Sequence, residues 1–389
     1  MSKHALLSPS SAHRWLNCPL APRLEAQLPE KVSEYAKEGT IAHKVCEMAA
    51  KKHFKKIRPA EFTKAVKKLK NDLLWDDEML KTADTYVEHL AERAMEFVHE
   101  PYINFEARVD LTDYVPDAFG TCDCVMFGGD TLIITDYKHG MGVPVSATEN
   151  PQLMLYALGA LKLYRPLFGE AIRTIKTYID QPRRNSYEGW SCTVEELLEW
   201  GETVKIKAQQ AFIGVGEYHA GDWCQFCRAN GMCKAQADQQ IGAFDDFAAA
   251  VEQPAGLLTP EQISEVLKRG KTLTDWFGSV QKVALDLILQ GTKIPDFKLV
   301  EGRSLWAWTD QDKALETLEA AGIERALIYD TVPKTLAQLR KMLGEAKFKE
   351  LVGQFAYKPQ GKPTLAAADD SRKEYNSAAA DFAAVANNE

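Results

Sequence analysis

The stretch that decides the fold is Gly120-Thr121-Cys122-Asp123-Cys124-Val125-Met126-Phe127-Gly128-Gly129-Asp130-Thr131-Leu132-Ile133-Ile134-Thr135-Asp136-Tyr137-Lys138. Two apolar runs flank the turn signal Gly128-Gly129-Asp130, which predicts a β-hairpin. With Gly129-Asp130 as a two-residue turn, Gly128 faces Thr131 and Phe127 faces Leu132. The same count sets Asp123 opposite Asp136, and Lys138, two residues on, shares their face. Carboxylates opposed at about 5 Å repel each other and weaken a sheet. A divalent cation held by hard oxygens compensates for that repulsion. A lysine on the same face neutralises an oxyanion or orients an attacking water. On the residues alone, two solvated acids on an exposed sheet face remain the alternative.

Upstream, Phe105, Ala107, Val109 and Leu111 alternate with Glu106, Arg108 and Asp110, the period of a half-buried strand. Glu106 lies on its polar face, either as a further acid for the site or as a solvated strand residue. Residues 78–99 carry the period of an amphipathic helix, and residues 1–57 read as helical segments. Among those, Ser8-Pro9-Ser10-Ser11 caps a helix through Trp15. Gly39-Thr40 opens another that carries His43 and Glu47 four residues apart on one face. Downstream, a helix is expected over Pro151–Tyr164, a strand over Ile172–Ile179, and a helix over Thr193–Ala211. Thr259-Pro260-Glu261-Gln262 has an N-cap, a proline in the first turn and a capping Gln; it starts a helix ending at Gly291.

The chain of 389 residues, 46% hydrophobic and 26% charged, is a globular protein larger than one minimal domain. No apolar run approaches the roughly 20 residues of a membrane helix. The first residues lack the apolar core of a secretion signal. The expected location is the cytoplasm, with no membrane partner. A formal charge of −8 gives no general attraction for nucleic acid, although local patches decide binding. Residues 51–70 form such a patch, with Lys51, Lys52, Lys55, Lys56, Arg58, Lys64, Lys67, Lys68 and Lys70 against one acid, Glu61. The next thirty residues are acidic. Charge alone favours two solvated faces that pair with each other; contact with phosphates is the alternative.

Eight cysteines in a cytoplasmic chain are not a disulfide framework. Cys224-x-x-Cys227-x5-Cys233 places three thiols in one loop, one short of a closed four-ligand site. Cys18 is the best fourth ligand, with His219 a weaker substitute at a zinc site. Cys46, Cys122, Cys124 and Cys192 read as small buried residues, with Cys122 and Cys124 both on the face opposite Asp123.

In order along the chain, Gly39-Thr40-x-x-His43-x-x-x-Glu47, Gly120-x-x-Asp123, Asp136-x-Lys138 and Gln152-x-x-x-Tyr156 resemble the motifs of the PD-(D/E)XK nucleases, in particular the RecB-like branch. Asp136 stands where many relatives have Glu. The cysteine pattern is similar to the iron–sulfur staple of AddB-like and Cas4-like members, and 4Fe–4S and Zn²⁺ both remain open for it. Leu299-Val300-Glu301-Gly302-Arg303-Ser304 and Lys358-Pro359-x-Gly361-Lys362-Pro363-Thr364-Leu365 also resemble a phage-encoded, uncharacterised RecB-like family.

The resemblance implies an α/β (α+β) fold: a restriction-endonuclease-like core with a mixed sheet flanked by helices, plus a smaller C-terminal α+β domain. The implied division is 1–240 nuclease, 241–259 linker, 260–360 accessory domain and 361–389 flexible tail. It makes Asp123 and Asp136 ligands of Mg²⁺ or Mn²⁺, with His43 and the Tyr137 carbonyl as additional ligands. Lys138 becomes the catalytic lysine, while Gln152 and Tyr156 contact substrate or brace the site. Cys18, Cys224, Cys227 and Cys233 hold the cluster. The implied activity is a DNA exonuclease in phage recombination, working with DNA and with a phage single-strand annealing or recombination protein. A catalytically silent DNA-binding accessory protein is the alternative.

Overall fold

The computed structural model describes residues 5–29, 33–168, 171–250 and 259–298, with single residues at 320, 341 and 344. The chain divides into a unit of Met1–Val300 and another of Glu301–Glu389. The two C-terminal motifs, most of the expected accessory domain and the expected tail lie outside the described residues.

The first unit is mixed α/β. Helices α1 (Ala12–Asn17), α2 (Ala21–Glu25), α3 (Glu34–His53), α4 (Pro59–Leu69) and α5 (Glu78–Ala94) precede strands β1 (Tyr102–Asp110), β2 (Phe119–Gly128) and β3 (Thr131–Tyr137). Then follow α6 (Pro151–Phe168), β4 (Thr174–Gln181), β5 (Ser186–Thr193), α7 (Val194–Ile213), α8 (Lys234–Ala250) and α9 (Pro260–Leu289). The five strands form one sheet in the order β1-β2-β3-β4-β5. All neighbours are antiparallel except β3 and β4, which are parallel and joined through α6.

The hairpin register is the one the turn dictates. Gly128 pairs with Thr131, Phe127 with Leu132 and Cys124 with Thr135. Gly129 supplies the left-handed backbone the turn requires, at φ +57°. The ladder pairing ends at Cys124 and Thr135, and Asp123 and Asp136 are the next residues of the two strands.

Apolar side chains cover the sheet on both faces, as a strand pair between helical layers needs. One core joins α3 and α5 to Ile103, Phe105, Cys124, Met126, Ile133 and Tyr137. The other joins α6 and α7 to Ala107, Val109, Cys122, Val125, Leu132 and Ile134. Strand β1 therefore changes sides between Phe105 and Ala107, and β2 does so between Cys124 and Cys122. The cause is Glu106, which sits at φ +55° in mid-strand and interrupts the side-to-side alternation. This corrects the expectation that Cys122 and Cys124 share a face: they are buried in opposite cores.

Helix α3 begins five residues before the expected Gly39, because Ser33 caps it by accepting the Ala36 N–H at 3.1 Å. Gly39 is an interior helical residue. α7 follows its expected capping pattern: Thr193 Oγ1 accepts from Glu196 N (3.1 Å) and Glu196 Oε2 accepts from Thr193 N (2.8 Å). α8 runs to Ala250, into the stretch read as a linker.

Candidate active site and cysteine loop

Asp123, Asp136, Lys138, Gln152, Tyr156 and His43 come together where the middle of β2 and the end of β3 meet α3 and α6. Asp136 is buried, and its Oδ1 accepts from Gln152 Nε2 at 3.0 Å. Lys138 Nζ donates to Gln152 Oε1 at 3.0 Å and lies 2.8 Å from Asp136 Oδ2. Gln152 Nε2 also donates to Tyr156 Oη at 3.1 Å. One amide therefore orients both the carboxylate and the ammonium, and the next turn of α6 braces that amide. Gly120 makes this packing possible: a Cβ there would stand 2.6 Å from the Tyr156 ring.

Asp123 Oδ2 accepts the Tyr137 backbone N–H at 2.8 Å and lies 3.4 Å from His43 Nδ1. The His43 ring packs edge-on against Tyr137, with centroids 5.2 Å apart. Tyr137 is anchored in turn, since its hydroxyl donates to Thr82 Oγ1 (3.0 Å) and contacts His139 Nδ1 (2.9 Å). The Lys138 N–H donates to the Asp180 carbonyl at 2.7 Å, which fixes its backbone to β4.

Burial is the largest influence on every ionisable group in this site. For Asp123 it is overcome by His43 and the Tyr137 N–H, which hold the carboxyl below its ordinary range. For Asp136 burial prevails, reinforced by the charge of Asp123 and only partly offset by Lys138, so its carboxyl is raised. His43 and Lys138 are both raised by the carboxylates despite their burial. Two neighbouring carboxylates pushed in opposite directions form a site that holds excess negative charge.

Glu106 was an open choice in the sequence, and its backbone settles where it stands. The β1–β2 register, Phe105 with Cys124 and Ala107 with Cys122, sets it across from Asp123. Its carboxyl is pushed up to about 7, first by partial desolvation and then by Asp123 and Glu47. Glu47, one helical turn beyond His43, is itself held by Lys44 and Lys51, the latter at 2.7 Å.

Among the described residues, no group of three or more His, Cys, Asp or Glu side chains is arranged to hold a metal ion as it stands. The donor chemistry nonetheless fits a hard divalent cation. Two carboxylates from adjacent strands stand beside an imidazole, and the buried Asp136 Oδ2 has no well-aligned hydrogen bond despite the nearby ammonium.

The cysteine loop lies apart from this site. Cys18, at the end of α1, meets Cys224, Cys227 and Cys233 around one small cavity that His219 and Trp223 also line. Burial raises the Cys224 thiol, and its neighbours Cys233 and Cys18 add to the shift. Burial, with the nearby Glu25, pushes Cys227 up to about 12. The four thiols line this one cavity but, like the carboxylates, are not arranged to hold a metal ion as they stand; a shared thiolate-bound centre would have to draw them together and displace their protons. Protein contacts reinforce the same junction. Buried Glu25 accepts from Arg14 Nε and from the Arg228 N–H, both at 2.9 Å, while Arg14 Nη1 donates to the Phe226 carbonyl at 3.1 Å.

Residues 4–373 match the family described as "Protein of unknown function (DUF2800)". The chain belongs to the DUF2800 family. In this DUF2800 chain the match takes in both the carboxylate site and the cysteine loop. A solved structure described as "Crystal structure of SSO0001" is similar at 13% identity, covering 58% of this chain and 96% of its own, with a TM-score of 0.23. Likeness at that level establishes no shared fold. No helix among the described residues is long and apolar enough to cross a membrane.

Proposed function

We propose that this chain is a Mg²⁺- or Mn²⁺-dependent DNA nuclease of the PD-(D/E)XK superfamily, of RecB-like type and working as an exonuclease in phage DNA recombination or processing. The observation that carries the reading is the half-buried Asp123 on the strand beside the buried Asp136, with Lys138 and Gln152 locked onto Asp136. A structural Lys138–Asp136 ion pair would not need the second carboxylate of Asp123 beside it. Asp123 and Asp136 would hold the cation, with His43 and the Tyr137 carbonyl as further donors. When bound, a divalent cation supplies Lewis-acid charge at a phosphodiester and activates water as the nucleophile.

The protein's own groups supply the positioning. Gln152 Oε1 fixes Lys138 Nζ, so the ammonium reaches the phosphate in one orientation and offsets charge developing on its oxygens. Tyr137 holds the His43 ring and, through its backbone, the Asp123 carboxylate. Cys18, Cys224, Cys227 and Cys233 would carry a 4Fe–4S cluster or Zn²⁺ with a structural role, since they lie outside the carboxylate site. The accessory C-terminal domain, a cytoplasmic location and a phage recombination partner belong to the same proposal.

Labelled single- and double-stranded DNA, with and without Mg²⁺ or Mn²⁺, tests the reading. Metal-dependent cleavage is expected. Binding with no cleavage under any of these conditions would replace the nuclease by a DNA-binding accessory protein. Resistance of closed circles beside degradation of linear DNA is the result expected of an exonuclease.

A further inference from the structure

The acidic turn that follows the basic stretch does not neutralise it. Asp72 Oδ1 accepts the Leu74 N–H at 3.0 Å, and Asp76 Oδ1 accepts the Glu78 N–H at 2.8 Å. Asp77 takes Trp75 Nε1 and Lys70, both at 3.1 Å. On α5 and beyond it, Glu78 pairs with Arg183 at 3.0 Å and Glu96 with Lys176 at 2.5 Å. These acids are committed to backbone N–H groups and to the sheet. The expected pairing of two solvated faces is thus reduced, among the described residues, to the Lys70–Asp77 contact.

Lys55, Lys56, Lys64, Lys67 and Lys68 remain exposed, and none has an acidic partner among the described residues. They are held on a defined surface. α4 is capped by Glu61, which accepts the Arg58 N–H at 2.8 Å, and its Val66 is buried. Lys52 Nζ sits 4.2 Å over the Phe62 ring, joining α3 to α4. The Lys56 N–H closes the turn between them onto the Lys51 carbonyl at 2.8 Å. This surface adjoins the helix that carries His43: it begins just past the end of α3, where Lys52 is about 14 Å beyond His43 at 1.5 Å per residue.

We infer that the α3–α4 turn is a track for the phosphate backbone of the nucleic acid that enters the carboxylate site, an inference that rests on the nuclease reading. Charge complementarity commits the surface to a polyanion. Five exposed ammonium groups without an acidic partner among the described residues stand here on a chain of formal charge −8, and the one acid within the stretch, Glu61, is taken up by Arg58. Its position at the end of α3 and on α4 places the bound strand next to the helix that carries His43, so the backbone is gripped to one side of the bond to be cut. Ammonium groups as point charges suit sequence-independent contact.

The test is fluorescence anisotropy of a labelled single strand and a labelled duplex against the full chain in EDTA, so that no turnover occurs, across a salt series. One variant carries Lys55→Glu and Lys56→Glu; a second carries Lys64→Glu, Lys67→Glu and Lys68→Glu; matched Lys→Arg variants serve as controls. The expected result is at least a tenfold rise in Kd at about 0.1 M salt for the charge reversals, with the Arg variants near wild type. The log–log salt slope should flatten by roughly 0.7 per lost contact on the single strand and roughly 0.9 on the duplex. Unchanged affinity and slope in both reversal variants would overturn the inference, as would a wild-type chain that binds neither DNA. The two readings fail separately. Lost binding in the variants, with a wild type that never cleaves, retains the track and removes the nuclease. Cleavage with unchanged binding in the variants does the reverse.

Discussion

Asp136 and Lys138 were legible as a pair because β-strand periodicity alone puts residues i and i+2 on one face. What the sequence could not show is how they are held, since Gln152 comes from a helix and its amide contacts depend on packing. Gly120 is another residue whose reason appears only in three dimensions. Gly120→Ala would drive a methyl into the Tyr156 ring, and overpacking of this kind costs about 1–3 kcal/mol. Thermal melting should show that loss, and an unchanged melting temperature would mean that Tyr156 moves freely. Asp180 is another buried acid, accepting from Arg93 Nη2 (2.9 Å) and contacting His89 Nδ1 (2.9 Å). Arg93→Ala leaves that carboxylate buried without its guanidinium partner, which costs about 3–5 kcal/mol in denaturant unfolding. Adding Asp180→Leu to Arg93→Met should recover part of the loss, whereas a still larger loss in the double variant would show that the pair is not the source.

At the level of elements, the hairpin register followed from two residues of turn chemistry, and α6, α7 and β4 followed from periodicity. Besides α4, which no expected helix covered, three features did not. β5 is an edge strand whose Ser186-Tyr187-Glu188-Gly189-Trp190 run is polar and mostly exposed, so no alternation marked it. The start of α3 lay hidden because Ser33 stands in a polar stretch with no apolar period. The reversal of faces at Glu106 is a single-residue backbone event that no pattern of apolar residues announces. The turn itself offers a direct prediction. Gly129→Val forces a β-branched residue to φ +57° and should destabilise the protein by about 1–2 kcal/mol or more. Equal stability would mean that the turn has changed type and that the register setting Asp123 beside Asp136 is not fixed by it.

For the whole molecule, the proposed function divides the labour: the cysteine loop would hold the chain and the carboxylate site would do the chemistry. Cys18 and Cys224–Cys233 are far apart in sequence, and a shared metal centre restricts a very long loop of unfolded chain. Cys227→Ser should therefore give a poorly soluble or less stable protein, with activity lost only as a consequence. Anaerobically purified protein should contain iron and be brown; one equivalent of zinc and no iron would exchange the metal and keep the staple. Normal stability in Cys227→Ser together with no bound metal would remove the staple altogether. The spacing Cys-x-x-Cys-x5-Cys made this loop legible, while Glu25 and Arg14, which tie the same junction without metal, carried no signature. The most direct measurement of the central claim is cleavage of end-labelled linear DNA in Mn²⁺ by wild type, Asp136→Ala and Lys138→Ala, each checked for folding by circular dichroism. The expected result is cleavage by wild type and none by either folded variant, whereas full cleavage by either variant would contradict the assignment of the site.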